Sequence, residues 1–349
     1  MTTRYRVQQV TWAIGLVLLV LASSSASAQQ RQKFSIVVAG FSAWFYLQQH
    51  VAIEAGLYKA EGLDPDVVDT NSGTRQAAAV MGGTGEIGQF SFPHVIKSAA
   101  KGGGLVAIAT GYDAYPIQLV LGTAAATKAG ITAAMPVDER IKRLKGLKIA
   151  ISAPGASTDL FMRTILVVRG IDPDKDLSLQ PVGSGAPQLG AFEAGVVDGF
   201  AFGSPFTTSA INRGLAMMLA DPMTGELAEF RGAPYQIIAT SRQTLETKPD
   251  VLLKGLRALA KAQKLIRENP AEAKRVARVW FRNMSDADYS AEFDAHAFGV
   301  PTAVALSPEH FSRTVDLMNL TEKEKSVLPY LEAVAPALGQ QVDAEMKQK

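Results

Sequence analysis

The chain has 349 residues, no cysteine, and 35 lysines and arginines against 33 aspartates and glutamates. Hydrophobic residues make up 47% and charged residues 19%, which excludes a wholly disordered or collagen-like chain and leaves room for about two domains. The missing cysteine excludes disulfides, Cys-ligated zinc, iron–sulfur clusters and thiol nucleophiles, and the near-zero net charge gives no footprint for nucleic acid.

Residues 1–28 read as an export signal. Arg4 and Arg6 form a basic start, residues 12–22 are almost wholly apolar, and Ala26-Ser27-Ala28 is a small-x-small cleavage pattern with Gln29 next. The apolar run falls short of the ~20 residues a membrane-spanning helix needs. Arg4 and Arg6 are the only charged residues there, so their removal leaves 33 basic residues against 33 acidic ones. With no cysteine at the cleavage site, no lipid anchor is expected. The expected location is a periplasm, as an exported soluble protein.

Along the mature chain, strands are predicted over 34–39, 64–69, 86–92 and 105–110, with helices over 44–55, 75–81 and 93–101 between them. Further strands are predicted over 116–121, 147–151, 177–182, 197–202, 217–220 and 235–240. Helices are expected over 137–145, 158–169 and 186–194. The alternation argues for layered α/β structure with largely parallel sheets. After Thr240 the character changes: 249–267 reads as one amphipathic helix, Asn269-Pro270 breaks it, and Ser307-Pro308 starts another. The tail from Thr321 is charged and Ala-rich, and helix is expected there. No linker separates the halves, so two lobes joined by crossing strands are expected, with Tyr115-Pro116 and Gly232-Ala233-Pro234 as the crossings.

Gly83-Thr84-Gly85-Glu86-Ile87-Gly88 fits the dinucleotide spacing, but a helix precedes it and a strand follows, the reverse of what that fingerprint needs. His50, His94, His296 and His310 have no zinc-binding spacing, and only His94 lies near a strand end. No G-x-S-x-G nucleophile elbow is present. Neither a metal nor a cofactor is called for.

The informative pattern is distributed. Ser42-Ala43-Trp44, Ser91-Phe92-Pro93, residues 152–158 and Gly203-Ser204-Pro205-Phe206 all bring small residues and hydroxyls to the C-terminal end of a predicted strand. Ligands of open α/β sheets bind there, and helix starts favour an anionic group.

These features together resemble a family: the substrate-binding proteins of ABC importers, of the nitrate/sulfonate/taurine group with the type II periplasmic-binding-protein fold. The resemblance covers about residues 34–280. It is carried by Leu57, Tyr58, Lys59, Ala60, Glu61, Gly62 and Leu63, by residues 71–74 and 85–89, by the 144–150 strand entry, by 155–158, and by 195–199 with Pro205-Phe206. It implies a cleaved signal over 1–28, a first lobe of 29–115 plus 233–349, a second lobe of 116–232, and a ligand cleft between them. It also implies a monomer that delivers a small solute to a membrane permease and is not an enzyme. The family's ligand loops map onto Ser42, Ala43, Trp44, Asn71, Ser72, Gly73, Thr74, Ser91, Phe92, Gly155, Ala156, Ser157, Thr158, Gly183, Ser184 and Ser204. Trp44, Phe92 and Phe206 are expected to form an apolar wall. These loops contain almost no acids, which points to a small anionic or neutral organic solute. Two alternatives share the fold: a periplasmic sensor using the same clamp, and an enzyme like the thiamine-pyrimidine synthases, whose cysteine-rich segment this chain lacks.

Overall fold

A computed structural model describes residues 31–322 and 325–348. The export signal over 1–28 lies outside the described residues. Residues 33–349 form one compact unit.

In chain order the first half contains β1 (Gln32–Val38), α1 (Leu47–Glu54), β2 (Leu63–Asp69), α2 (Gly73–Met81), β3 (Ile87–Ser91), α3 (Phe92–Ala100) and β4 (Leu105–Tyr112). The chain then forms β5 (Gln118–Gly122), β6 (Lys148–Ile151), α4 (Ser157–Val167), β7 (Ser178–Pro181), α5 (Ala186–Glu193), β8 (Gly199–Phe202), α6 (Phe206–Asn212) and β9 (Ala216–Ala220). It returns through β10 (Gln236–Ser241) and closes with α7 (Arg242–Thr247), α8 (Pro249–Glu268), α9 (Pro270–Ala277), α10 (Asp286–Ala297), α11 (Pro308–Asn319) and α12 (Ala337–Lys347). The tail is thus partly helical, as its composition suggests. Residues 44–46, expected to begin α1, form a separate 3-10 turn whose three aromatic rings are all buried.

Among the described residues the strands make two five-stranded sheets, ordered β2-β1-β3-β10-β4 and β7-β6-β8-β5-β9. Both are mixed. β10 is antiparallel to β3 and β4, and β5 is antiparallel to β8 and β9. β1 pairs parallel with β3, and β6 pairs parallel with β7 and β8. The two orders correspond position by position, with β1 matching β6, β2 matching β7, β3 matching β8, and β10 matching β5. The antiparallel member of each sheet is the strand that arrives from the other sheet. This makes the fold α/β with two lobes. The chain passes between sheets along 113–117 and 221–235.

Each sheet is covered because its strands read as apolar runs: all eight residues of β4 and all four of β8 are buried. Pro65 sits in β2 at the edge of its sheet, where a missing N–H costs no ladder bond. The other edge strand, β4, is protected by the C-terminal segment. Thr110 N–H donates to the Val304 carbonyl and Ala335 N–H to the Ala107 carbonyl, each at 2.8 Å. The long helix α8 packs its apolar face on α1 and α12.

Candidate functional site: a polar chamber between the sheets

The correspondence of the two sheets brings six strand-end segments together. From the first sheet come the ends of β1, β2 and β3; from the second come those of β6, β7 and β8. They enclose a chamber lined by Ala39, Tyr46, Gly73, Gln76, Phe90, Ser91, His94, Tyr235 and Gln236 on one side, and by Ser152, Ala156, Ser157, Ser184 and Phe202 on the other. No charged side chain lines it. The space open to the centre of a water-sized sphere is about 20 Å³, room for roughly one water. A wider vestibule of about 520 Å³ shares Ser91, Ala156 and Ser157 with the chamber and opens between α3 and α4. Its cations are already paired, Lys97 with Glu322 at 2.7 Å and Arg163 with Asp159 at 2.9 Å.

Four helices begin at or beside this chamber: α2 at Gly73, α3 after Ser91, α4 after Ala156 and α5 two residues after Ser184. None has its first turn held by the side chain of its cap residue. Ala156 and Gly185 have no side chain that could cap, whereas Ser72 and Ser91 do, and polar caps elsewhere behave differently from those two. Ser241, Asn269, Ser285 and Ser307 each accept a backbone N–H from the first turn of α7, α9, α10 and α11. Asp159 stands in the first turn of α4, and Gln188 N–H of α5 donates to the Gly185 carbonyl at 3.0 Å, so unheld N–H donors and a positive dipole end lie chiefly at the starts of α2 and α3.

Buried amides hold the chamber wall in place. Gln76 Nε2 donates to the carbonyls of Val37 and Gln89 at 2.7 and 2.8 Å. Gln89 Nε2 donates to Gln236 Oε1 at 2.8 Å and to the Phe45 carbonyl at 2.9 Å. Tyr46 Oη accepts the Ala39 N–H at 3.0 Å. Across the chamber, Ser184 Oγ donates to Ser152 Oγ at 2.9 Å. Ser91 Oγ lies 2.9 Å from His94 Nδ1, while His94 Nε2 is buried with no hydrogen-bond partner. Burial pushes His94 down to about 4, with a hydrogen bond to the Ser91 backbone opposing and Lys97 adding to the fall. The ring is neutral at ordinary pH. It lies against the start of α2, where a Cβ on Gly73 would come within 3.0 Å of His94 Cε1. A side chain there would make the ring give by a few tenths of an ångström, and glycine avoids that.

The lobes touch directly around the chamber. Ser157 Oγ and Tyr235 Oη are 2.9 Å apart, Ser184 N–H donates to the Asn71 carbonyl at 3.1 Å, and Trp44 N–H donates to the Ser204 carbonyl at 3.1 Å. Farther out, Thr208 Oγ1 donates to Glu292 Oε1 at 2.5 Å. Burial alone would raise Glu292, but hydrogen bonds from His296, Thr208 and Ser204 outweigh it and hold the carboxyl below its ordinary range.

Of the sixteen residues mapped from the sequence, the chamber is lined by Gly73, Ser91, Ala156, Ser157 and Ser184. Gly155 lines the vestibule. Asn71 adopts a left-handed φ of 53° and offers its carbonyl to Ser184, beside Gly183. Ser72 is buried at the cap of α2, and Thr74 is exposed. Thr158 is buried and its hydroxyl accepts the Ser152 N–H at 2.8 Å, so it shapes the loop. Ser204 packs its hydroxyl on Thr208.

The expected apolar wall is not there. Trp44 is fully buried and stacks on Phe281 at 3.8 Å, turned away from the chamber, with Ala43 buried beside it. Phe92 is also fully buried, against Phe311. Ser42 and Phe206 line a separate groove with Trp280 and Met284.

Sequence reasoning missed Ala39, Tyr46, Gln76, Phe90, Phe202, Tyr235 and Gln236; it placed Ser152 in a strand-end segment without mapping it to the site, and noted His94 without assigning it. One signal was available: Gln76 stands four residues past the Ser72 cap and His94 three past the Ser91 cap, where a side chain folds back over the helix start. Tyr235 and Gln236 come from the return crossing and carry no such signal.

The match to a family model decides the family, because the NMT1-like model covers residues 32–280. The chain belongs to the NMT1-like family. Nitrate/nitrite binding protein NrtA of Nostoc sp. is 32% identical over 120 residues, and NrtA of Synechococcus elongatus is 32% identical over 127. These matches cover 34% and 36% of this chain, and the chain spans only about a quarter of the length of these curated relatives, 26% and 27%. Among solved structures, a Bordetella bronchiseptica protein superposes with a TM-score of 0.79 at 21% identity, covering 91% of this chain and 99% of its own. The alkanesulfonate-binding protein SsuA of Xanthomonas axonopodis pv. citri gives 0.67 at 19% identity, with 88% and 99% coverage. The periplasmic nitrate-binding protein NrtA of Synechocystis gives 0.67 at 15% identity, with 92% and 90% coverage. At these identities the likeness establishes the periplasmic-binding-protein fold of this NMT1-like chain. Among the described residues no helix is long and apolar enough to cross a membrane, and no cluster of three His, Asp or Glu side chains could hold a metal ion.

Proposed function

We propose that this protein is a periplasmic solute-binding component of an ABC importer, taking a small anionic organic solute into the chamber between its lobes and handing it to a membrane permease. The observation that carries the reading is the set of four helix starts, unheld by their cap side chains, on one enclosed polar chamber. N–H donors at helix starts stabilise negative charge without any cation. The mature chain's balanced charge fits this, since attraction for an anion then comes from local dipoles. The chain also resembles, at 29% identity over 133 residues, the nitrate import ATP-binding protein NrtC of Synechococcus elongatus, and the NrtA relatives bind nitrate or nitrite.

The closed chamber is too tight for a solute to enter, so entry requires the lobes to part. The two crossings, 113–117 and 221–235, are the segments that would bend, with lobe boundaries at 115/116 and 232/233. Tyr115 packs on Phe230 at 4.4 Å and on Tyr235 at 5.2 Å, so the crossings meet through their rings. The test is a thermal-shift and calorimetric screen of the protein against nitrate, alkanesulfonates, carboxylates and polyamines. Solute at 100 times its Kd should add about 2.7 kcal/mol of stability. Tight binding of polyamines alone would sink the anion reading.

A further inference from the structure

We propose that His94 is the specificity-determining contact of this chamber, donating a hydrogen bond from Nε2–H to an oxygen of the bound anion. This rests on the anion-binding reading and goes beyond it by naming the side chain that reads the ligand.

Three observations meet at His94. Its Nε2 is buried and unpartnered, while Gln76, Gln89, Tyr235, Ser152, Ser157 and Ser184 are tied to one another or to backbone; beside the chamber only Gln188 Oε1, an acceptor behind Ser152, shares that deficit. A buried donor without a partner costs about 1–3 kcal/mol, so it is rarely kept without a use. The ring is held on both sides: Ser91 Oγ fixes Nδ1 at 2.9 Å, and the bare Cα of Gly73 leaves the space the ring occupies. The ring is neutral, since burial pushes His94 down to about 4, and it therefore carries one proton.

The chamber decides which nitrogen carries that proton. The helix starts present N–H donors only, so the group that fits among them is an acceptor. With the proton on Nε2, the ring adds a side-chain donor to the chamber wall, and Ser91 Oγ–H satisfies Nδ1 by donating to it. With the proton on Nδ1, the lone pair of Nε2 would face the anion. The ionisable groups nearby are Lys97 on the same helix, Arg75 on α2, whose Nε is bonded to the Thr70 carbonyl, and Tyr46 and Tyr235 in the same wall of the chamber. No carboxylate lines the chamber to compete for Nε2–H.

The experiment uses the mature protein with nitrate, ethanesulfonate, propionate and benzoate as probes. Affinities are measured by calorimetry for the parent protein, His94→Leu and His94→Gln. His94→Leu is expected to weaken the best probe at least tenfold, and His94→Gln, which keeps an N–H donor, to recover most of that loss. In ¹⁵N-histidine spectra of the parent, the Nε2 resonance of His94 should report a protonated nitrogen and move on addition of the probe. That signal holds even if the leucine variant fails to fold. Unchanged affinity in His94→Leu, or an Nε2 resonance that stays still while a probe binds, overturns the role of His94 and leaves anion binding intact. If none of the four anions binds the parent, the anion reading fails and takes this contact with it.

Discussion

Two buried histidines, one in the chamber wall and one in the aromatic core behind it, solve the same problem in different surroundings. Each is neutral through burial, and each leaves one ring nitrogen without a hydrogen bond. His50 Nε2 lies 2.7 Å from the Phe41 carbonyl, and the ring stacks on Trp280 at 5.2 Å and meets Phe41 edge-on at 4.7 Å. Its free Nδ1 is closed in by rings. His94 has its free nitrogen against a chamber with space for a polar atom. Both deficits cost stability, but only the nitrogen beside a cavity can have its deficit met by a ligand.

The strongest test of this contrast is Trp44→Ala. Trp44 lies fully buried in the aromatic core, stacked on Phe281 and nearly parallel to His296 at 5.8 Å. Its removal should cost about 3–5 kcal/mol, read as a large fall in the urea midpoint. Solute affinity of the folded fraction should stay near the parent value. A loss of affinity with stability retained would put Trp44 in the binding site after all.

Acid should act on both histidines together. His50 falls to about 3 and His94 to about 4, from an ordinary value of 6.5. The unfolded chain takes up protons on these rings below about pH 6.5, while the folded protein does not. Stability is therefore fully present above that pH and declines as pH falls, by about 1.4 kcal/mol per pH unit for each ring. The decline due to His94 ends near pH 4, whereas that due to His50 continues to about pH 3. Urea midpoints measured from pH 7 to pH 4 check this, and His50→Gln should flatten the slope. An unchanged slope in that variant would mean His50 ionises freely.

Gly40 sits where the lobes meet, with φ of 77° and its Cα facing Phe202. A Cβ there would come within 3.0 Å of Phe202 Cζ and 3.5 Å of Ser184. Gly40→Ala should cost about 1–2 kcal/mol through its left-handed backbone. It should also weaken the solute that the closed chamber retains, because the added methyl props the lobes apart. Equal affinity in the variant would mean the lobes close without that contact.

Much of the architecture is legible in sequence because apolar runs and glycine-ended helices have one dominant reading. The strands predicted at 147–151 and 197–202 fall on β6 and β8, and the strand-end loops do converge. Side-chain direction at those loops is not legible in the same way. Trp44 and Phe92 follow strand ends as plausibly as Ser91 does, and only the turn geometry sends them into the core. Tyr235 and Gln236 reach the chamber at the start of the return strand β10, through a pairing between Gln236 and Ser91, which are 145 residues apart in sequence. No local pattern encodes such a pairing.

The smallest effect separates the two kinds of helix start most cleanly. Ser307 Oγ accepts the His310 N–H at 3.1 Å, so Ser307→Ala should cost about 1 kcal/mol. Ser72 is a buried cap of the same residue type, yet its side chain holds nothing in the first turn of α2. Ser72→Ala should stay within about 0.5 kcal/mol of the parent. Chemical denaturation without solute measures both. The pair is informative because propensity is matched: each replaces a serine by alanine at an N-cap. If Ser72→Ala costs as much as Ser307→Ala, the start of α2 is capped in solution and its N–H groups are not held open for an anion. If it costs little, the first turn of α2 faces the chamber with donors that the chain itself does not use.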